Sequence, residues 1–305
     1  MMARIPRLLI KGEKAIYHVI SRTALQGLPM EACHKDYLFN LIRRLSRIYF
    51  AEVFGVTVMG NHFHLLVRMM PGDGVSDEDI IRKFDELYHG KRVLMPGQVE
   101  YYRRKWENLS EFVKDIKQTF TKYYNKVTGR KGYFWSDRYK SLIVQHGEPL
   151  IHCLAYIDLN PVRAGIVKRP EHYRWSGLAY HLQRGNPDGF LSLDFGSDEF
   201  MGENTDEKIR RYRRYVYEAG AVHREKFAFI DNCTMDKERK RGYEMQRYER
   251  FQLRTRFFTE SGILGSKEFV ESHFRLFKQV FQTDNDRKAM KIKGLQGIYS
   301  MKRLE

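Results

Sequence analysis

The chain has 305 residues, with 54 Lys and Arg against 38 Asp and Glu, for a formal net charge of +16. Its 42% of hydrophobic residues are too many for a disordered chain, and its length admits one large domain or two modest ones. No run approaches the ~18 consecutive apolar residues of a membrane span, and the basic N-terminus offers only Leu8-Leu9-Ile10 as an apolar run, too short for a signal-peptide core, so a cytoplasmic protein is expected.

The first expected strand is Ala15 to Ser21, where Ile16, His18 and Ile20 alternate with Tyr17 and Val19. A helix follows over Lys35 to Phe50, with Tyr37, Leu38, Leu41, Ile42, Leu45 and Ile48 at helical spacing. Val53 to Met59 and His62 to Met69 read as a strand pair, turned at Gly60-Asn61. Pro71 to Ser76 is a loop, Asp77 to Tyr88 a helix, and Gly90 to Gly97 a basic, turn-rich stretch. A longer helix spans Leu109 to Lys126, with Ser110 as its candidate cap, and Tyr139 to Val144 is rich in strand formers. Glu148 to Leu159 reads as a helix that Asn160-Pro161 closes. The order is that of an α+β fold around an antiparallel sheet.

Residues 184–206, rich in Gly, Pro, Asp and Ser, mark a boundary. This divides the chain into residues 1–185, a linker at 186–206, and a basic helical region at 207–305. Residues 201–305 carry about twice the positive charge per residue of the rest. Within them, Lys237 to Phe258 reads as a long charged helix with a break at Gly242, and Ser266 as the cap of a further helix. A helix–turn–helix and a helical cap on the first domain are both open readings there. Cys33, Cys153 and Cys233 are widely spaced, form no zinc pattern, and read as reduced thiols.

A charge of +16 exceeds the ~2–8 that solubility asks of a small domain, and polyanions are the natural partners because neutralised phosphates release counterions. Aromatic residues, 14% of the chain, are interleaved with the basic ones, which favours nucleic acid over a membrane surface. The stretch Arg103-Arg104-Lys105-Trp106, after Tyr101-Tyr102, suits a single strand by charge and stacking, and equally suits a solvated helix start. Arg138 and Lys140 beside Phe134-Trp135 are further candidates.

Two constellations carry chemistry. His62 and His64 sit one residue apart on a strand, hence on one face, with Phe63 turned to the core; paired imidazoles can hold a divalent metal. Tyr156 and Asn160, four apart on a helix, share a face. A tyrosine can attack a phosphodiester, and an amide oxygen can join the shell of a hard cation. Tyr123 and Tyr124, between Lys122 and Lys126, are rivals for the tyrosine role.

Four blocks in order resemble the REP-associated tyrosine transposases, relatives of the single-tyrosine transposases of bacterial insertion sequences within the HUH endonucleases. They are Tyr17-His18-Val19-Ile20-Ser21-Arg22, then residues 58–66 around Asn61-His62-Phe63-His64, then Phe134-Trp135-Ser136-Asp137-Arg138-Tyr139-Lys140-Ser141, then Tyr156-Ile157-Asp158-Leu159-Asn160-Pro161-Val162-Arg163-Ala164-Gly165. Tyr173-Arg174-Trp175-Ser176-Gly177 matches the usual close of the domain. The resemblance implies a ferredoxin-like antiparallel sheet with helices on one face. It implies Mg²⁺ or Mn²⁺ on His62, His64 and Asn160, and Tyr156 as nucleophile in preference to Tyr123 and Tyr124. Single-stranded DNA with hairpins would be cleaved and rejoined through a 5′-phosphotyrosine, with Arg138, Lys140 or Arg163 assisting the phenol. Association with the nucleoid, and action as a monomer or as a homodimer, follow from the same likeness. The alternatives are a non-cleaving DNA-binding regulator on this scaffold and an RNA-binding module.

Overall fold

The computed structural model describes residues 9–196, 204–221, 228–244, 264–276, 288–291 and 299–301. Strands β1 (Ala15–Arg22), β2 (Ala51–Val58), β3 (His62–Met69) and β4 (Lys140–Val144) form one sheet in the order β2–β3–β1–β4. All three pairings are antiparallel. Helix α1 (Ala32–Ile48) joins β1 to β2. Helices α2 (Asp77–Tyr88), α3 (Val99–Trp106) and α4 (Leu109–Thr128) lie between β3 and β4. The path β1–α1–β2–β3–α4–β4 with that strand order is the ferredoxin-like arrangement expected from the sequence.

The strands are apolar on both sides because both sides are covered. On one face Tyr17, Val19, Phe63, Leu65 and Val67 meet Leu38, Leu41, Ile42 and Leu45 of α1 and Phe112, Val113, Ile116 and Phe120 of α4. This is the main helical layer. On the other face Ile16, Phe54, Leu66 and Val144 meet Leu150, Ile151, Leu154 and Ala155 of α5 (Glu148–Asp158). The β2–β3 register shifts between Val53 and Gly55, so that Phe54 and Gly55 in succession both face this second layer. A Cβ on Gly55 would stand 2.2 Å from Leu154 Cδ1. The bare backbone there lets α5 lie close on the sheet.

Several helix ends differ from the sequence reading. α1 begins three residues early, where the Glu31 backbone N–H donates to His34 Nδ1 at 3.2 Å. The cap of α4 is Asn108, not Ser110: its side-chain oxygen accepts from the N–H groups of Ser110 and Glu111 at 2.8 and 3.3 Å. Pro161 does not stop the helical path. α5 ends at Asp158 and a four-residue turn, α6 (Asn160–Arg163), follows at once, with Pro161 where its missing N–H costs nothing. Helix α3 was not anticipated.

The β2 edge is covered by the chain that follows. Val58 N–H donates to the Trp175 carbonyl at 2.9 Å, and Tyr173 Oη–H to the Val58 carbonyl at 2.7 Å. Helix α7 (Gly177–Ala179) and a π-helical turn at Tyr180–Arg184 follow. Of the segment read as a linker, residues 186–196 run along the same edge: Phe190 and Leu191 are buried, and Ser192 N–H donates to the Val53 carbonyl at 2.7 Å.

Helix α8 (Thr205–Ala221) packs Tyr212, Val216 and Tyr217 on the outer side of α5. Helix α9 (Asn232–Lys240) stops before Gly242, whose φ of +60° breaks the helix as expected; residues 245–258 of the expected long helix lie outside the described residues. Helix α10 (Lys267–Leu276) is capped by Ser266, whose Oγ accepts from the Phe269 N–H at 3.2 Å. Three two-residue strands, β5 (Leu264–Gly265), β6 (Met290–Lys291) and β7 (Tyr299–Ser300), pair beside it. No helix among the described residues is long and apolar enough to cross a membrane.

Candidate active site

The site forms where the α5 face of the sheet meets the end of α5. Strand register decides which side chains share it. Thr57, His64, Ile20 and Lys140 form one row across the four strands, and His62 is opposite Arg22 in the β1–β3 ladder. Directly paired residues project to the same face, so both histidines face α5. His18, two residues before Ile20, faces the same way.

The three imidazoles form a chain. The His62 and His64 rings are 5.0 Å apart, and those of His64 and His18 5.2 Å apart. His18 Nε2 and His64 Nδ1 are hydrogen-bonded at 3.0 Å, and His62 Nδ1 and Asn61 Oδ1 at 2.6 Å. The amide oxygen can only accept, so His62 Nδ1 carries the proton. Neither His62 Nε2 nor His64 Nε2 has a hydrogen-bond partner among the described residues.

Burial holds the three rings neutral. It pushes His18 down to about 4. His62 is pushed down to about 4 by burial and then by the Arg22 cation. His64 goes down to about 2, through burial first and then its two imidazole neighbours. Neutral imidazole is the form that ligates metal.

Tyr156, in the last turn of α5, sets its ring edge against His64 at 5.9 Å and against His18 at 6.0 Å between centroids. It stays 41% exposed and so remains open to a large substrate. The Arg163 guanidinium lies 5.1 Å from the centre of the Tyr156 ring. Asn160 Nδ2 donates to the carbonyls of Tyr156 and Ile157 at 2.8 and 3.3 Å. The Asn160 Oδ1 has no partner among the described residues. Two free imidazole nitrogens, an uncommitted amide oxygen and an exposed mouth fit a divalent cation that keeps open positions.

Tyr156 meets the histidines of its own chain. Tyr123 stacks on Tyr37 at 3.6 Å, and Tyr124 is buried with its hydroxyl donating to the Pro29 carbonyl at 3.4 Å. Both belong to the α1–α4 layer, on the other side of the sheet, so neither rivals Tyr156.

The expected strand grip at residues 103–106 is corrected. Trp106 is fully buried, packed in the core with Phe50 and Tyr102. Arg103 is paired with Asp77 and Glu100 and donates to the Gly72 carbonyl at 3.2 Å. Lys105 is paired with Asp115 at 2.8 Å. Only Arg104 keeps an exposed guanidinium, and it too contacts Glu100, at 2.7 Å. These cations join α3 to its neighbours. Arg138 and Lys140 are exposed, and Lys140 shares the row of His64.

Two side chains at the site escaped the sequence reading: His18 as a partner of His64, and Arg22 as the cation beside His62. Their alternation on β1 was visible, but their neighbours depend on a register set across 40 residues or more of chain. Elsewhere, among the described residues, Glu31, Cys33 and His34 are the one group whose three potential ligand atoms lie within 4.8 Å of one another.

No family model matches the chain, and no curated protein matches it. Among solved structures it is similar to a REP-associated tyrosine transposase bound to a REP hairpin, with 17% identity, 63% of this chain and 90% of that chain covered, and a TM-score of 0.41.

Proposed function

We propose that the protein is a metal-dependent DNA strand transferase that uses Tyr156 as nucleophile on single-stranded DNA flanked by hairpins. The observation that carries this reading is the placement of Tyr156 against His64, whose ring lies 5.0 Å from that of His62, with Nε2 uncommitted on both histidines. The sequence blocks that resemble REP-associated tyrosine transposases fall on these same elements.

His62 and His64, with Asn160, would hold Mg²⁺ or Mn²⁺. Bound there, the cation would supply Lewis-acid chemistry, withdrawing charge from a non-bridging phosphate oxygen. The Tyr156 oxygen attacks phosphorus, and the bond from phosphorus to the 3′ oxygen breaks. The phenol proton leaves and the departing 3′ oxygen gains one, so the products are a 5′-phosphotyrosine and a 3′-OH. Attack by the 3′-OH of a strand end reverses these steps and rejoins DNA. The phosphotyrosine conserves the bond energy, so no nucleotide cofactor is called for. Arg163, its guanidinium 5.1 Å from the centre of the Tyr156 ring, places positive charge beside the attacking residue. Arg22, Arg138 and Lys140 supply positive charge for the strand.

The test is covalent capture. Purified protein is mixed with single-stranded hairpin DNA from the flanks of its own gene, with Mn²⁺ or Mg²⁺, and resolved on a denaturing gel. An adduct mapped to Tyr156 by mass spectrometry is expected, absent with chelator and in Tyr156→Phe and His62→Ala. Binding of DNA without adduct, under either metal and on several flanking substrates, overturns the enzyme and leaves the non-cleaving regulator.

A further inference from the structure

We propose that His18 is a positioning residue for His64, its Nε2 accepting a hydrogen bond from His64 Nδ1–H and thereby leaving His64 Nε2 as a lone-pair donor. This rests on the reading of His62 and His64 as a cation site, and adds a residue on a different strand to it.

The contact between His18 Nε2 and His64 Nδ1, at 3.0 Å, needs one proton on one of the two nitrogens. If His18 donated, His64 Nδ1 would be the acceptor. Its single ring proton would then sit on Nε2, and that nitrogen could not ligate. If His64 donates, Nε2 carries the lone pair and points its chemistry outwards. The two histidines differ in this respect. The tautomer of His62 is fixed by Asn61 Oδ1, an atom that has no proton to give. The tautomer of His64 is fixed by another imidazole, which can play either part. A ligating histidine commonly donates its second ring N–H to such an acceptor, which sets both ring orientation and donor strength.

His18 is not itself a third ligand in this geometry. Among the described residues, His18, His62 and His64 do not present three ring nitrogens within 4.8 Å of one another. It is buried, with the neighbouring ring planes inclined by 21°, so it is held in place rather than free to swing to the mouth. Its backbone is fixed on both sides, by β3 and by β4.

Three full-length variants test the assignment. His18→Leu fills the same space without an acceptor, His18→Gln restores an acceptor oxygen, and His62→Ala is the control for the cation site. Mn²⁺ affinity is read by electron paramagnetic resonance, without DNA. His18→Leu is expected to bind Mn²⁺ about 10- to 100-fold more weakly, and His18→Gln to recover most of the loss. Unchanged affinity in His18→Leu, within about twofold, with weakened binding in His62→Ala, overturns the role of His18 and leaves the cation site standing. Unchanged affinity in His62→Ala overturns the cation site, and the role of His18 with it. A readout that needs no variant is long-range ¹H–¹⁵N correlation on the wild-type protein with Mg²⁺. A proton on His64 Nδ1 is expected, and a proton on His64 Nε2 overturns the proposal.

Discussion

Asp158 lies two residues beyond Tyr156 and faces the other way. It is fully buried, accepting from the Tyr212 hydroxyl at 2.7 Å and from the Leu178 N–H at 3.1 Å. Burial pushes its carboxyl up to about 6, against the opposing pull of these hydrogen bonds. An unfolded chain releases that proton near pH 4. Between about pH 4 and 6 the folded state therefore binds the extra proton. The stability this contributes is fully present below pH 4 and lost as pH rises through about 6. The buried neutral histidines, including His181, pushed down to about 3, act in the opposite direction. Comparison of the wild type with Asp158→Asn cancels them. Urea denaturation of both should show the wild type losing roughly 2–3 kcal/mol relative to the variant between pH 4 and 7, with no further change to pH 8. A flat difference would mean that Asp158 keeps an ordinary carboxylate in the fold. At this scale the sequence was readable where chemistry is local. His62 and His64 lie on one strand, and Tyr156 and Asn160 on adjoining turns, so periodicity alone pairs them. His18 was not readable as a partner, because 46 residues of chain separate it from His64. Trp106 was misread because basic and aromatic composition does not say which side of a helix is covered.

α5 is the element on which the proposed chemistry turns. Its distance from the sheet is set by Gly55, whose missing Cβ leaves room for Leu154. Gly55→Ala should cost about 1–3 kcal/mol through overpacking. Because Leu154 and Tyr156 ride on the same helix, adduct formation should slow more than DNA affinity falls. Single-turnover capture beside a filter-binding isotherm separates the two, and equal losses in both would show that α5 does not set the position of the tyrosine. The strands and the hairpin of β2 and β3 were legible from alternation and from Gly60-Asn61. Helix ends were less so. Asn108 and Ser110 are both good caps, and only the hydrogen bonds choose Asn108. Pro161 was read as a stop, although a proline is equally at home in the first turn of a new helix.

Across the whole molecule, α8 and α9 are tied to the sheet domain by buried charge. Arg213 pairs with Glu171 at 2.7 Å and with Glu238 at 2.9 Å, and all three side chains are at most 1% exposed. Arg169 adds a contact to Glu238 at 3.0 Å. Such a network resists removal of Arg213, since Glu171 would be left buried without a cation while Glu238 would keep only Arg169 and Arg241. Arg213→Met should lower stability by about 3–5 kcal/mol, measured by chemical denaturation. A variant as stable as the wild type would show that the apolar contacts of Tyr212, Val216 and Tyr217 suffice. The sequence showed the charge excess of this region but not its pairing. Glu171, Arg213 and Glu238 come from three separate stretches of chain, and each read alone is an ordinary surface residue.

That α5 is pressed between the sheet and α8 has a consequence for how a reaction of this kind would move. A helix gripped on both flanks is an anvil, not an arm. On the proposed chemistry, a DNA end joined to Tyr156 stays at a fixed point while the attacking end travels to it. Choreography then belongs to the nucleic acid: hairpins on either side must fold so that two strand ends visit one place in turn. Selectivity between cutting and joining would thus be written in the spacing of the DNA, with the protein as the stationary frame.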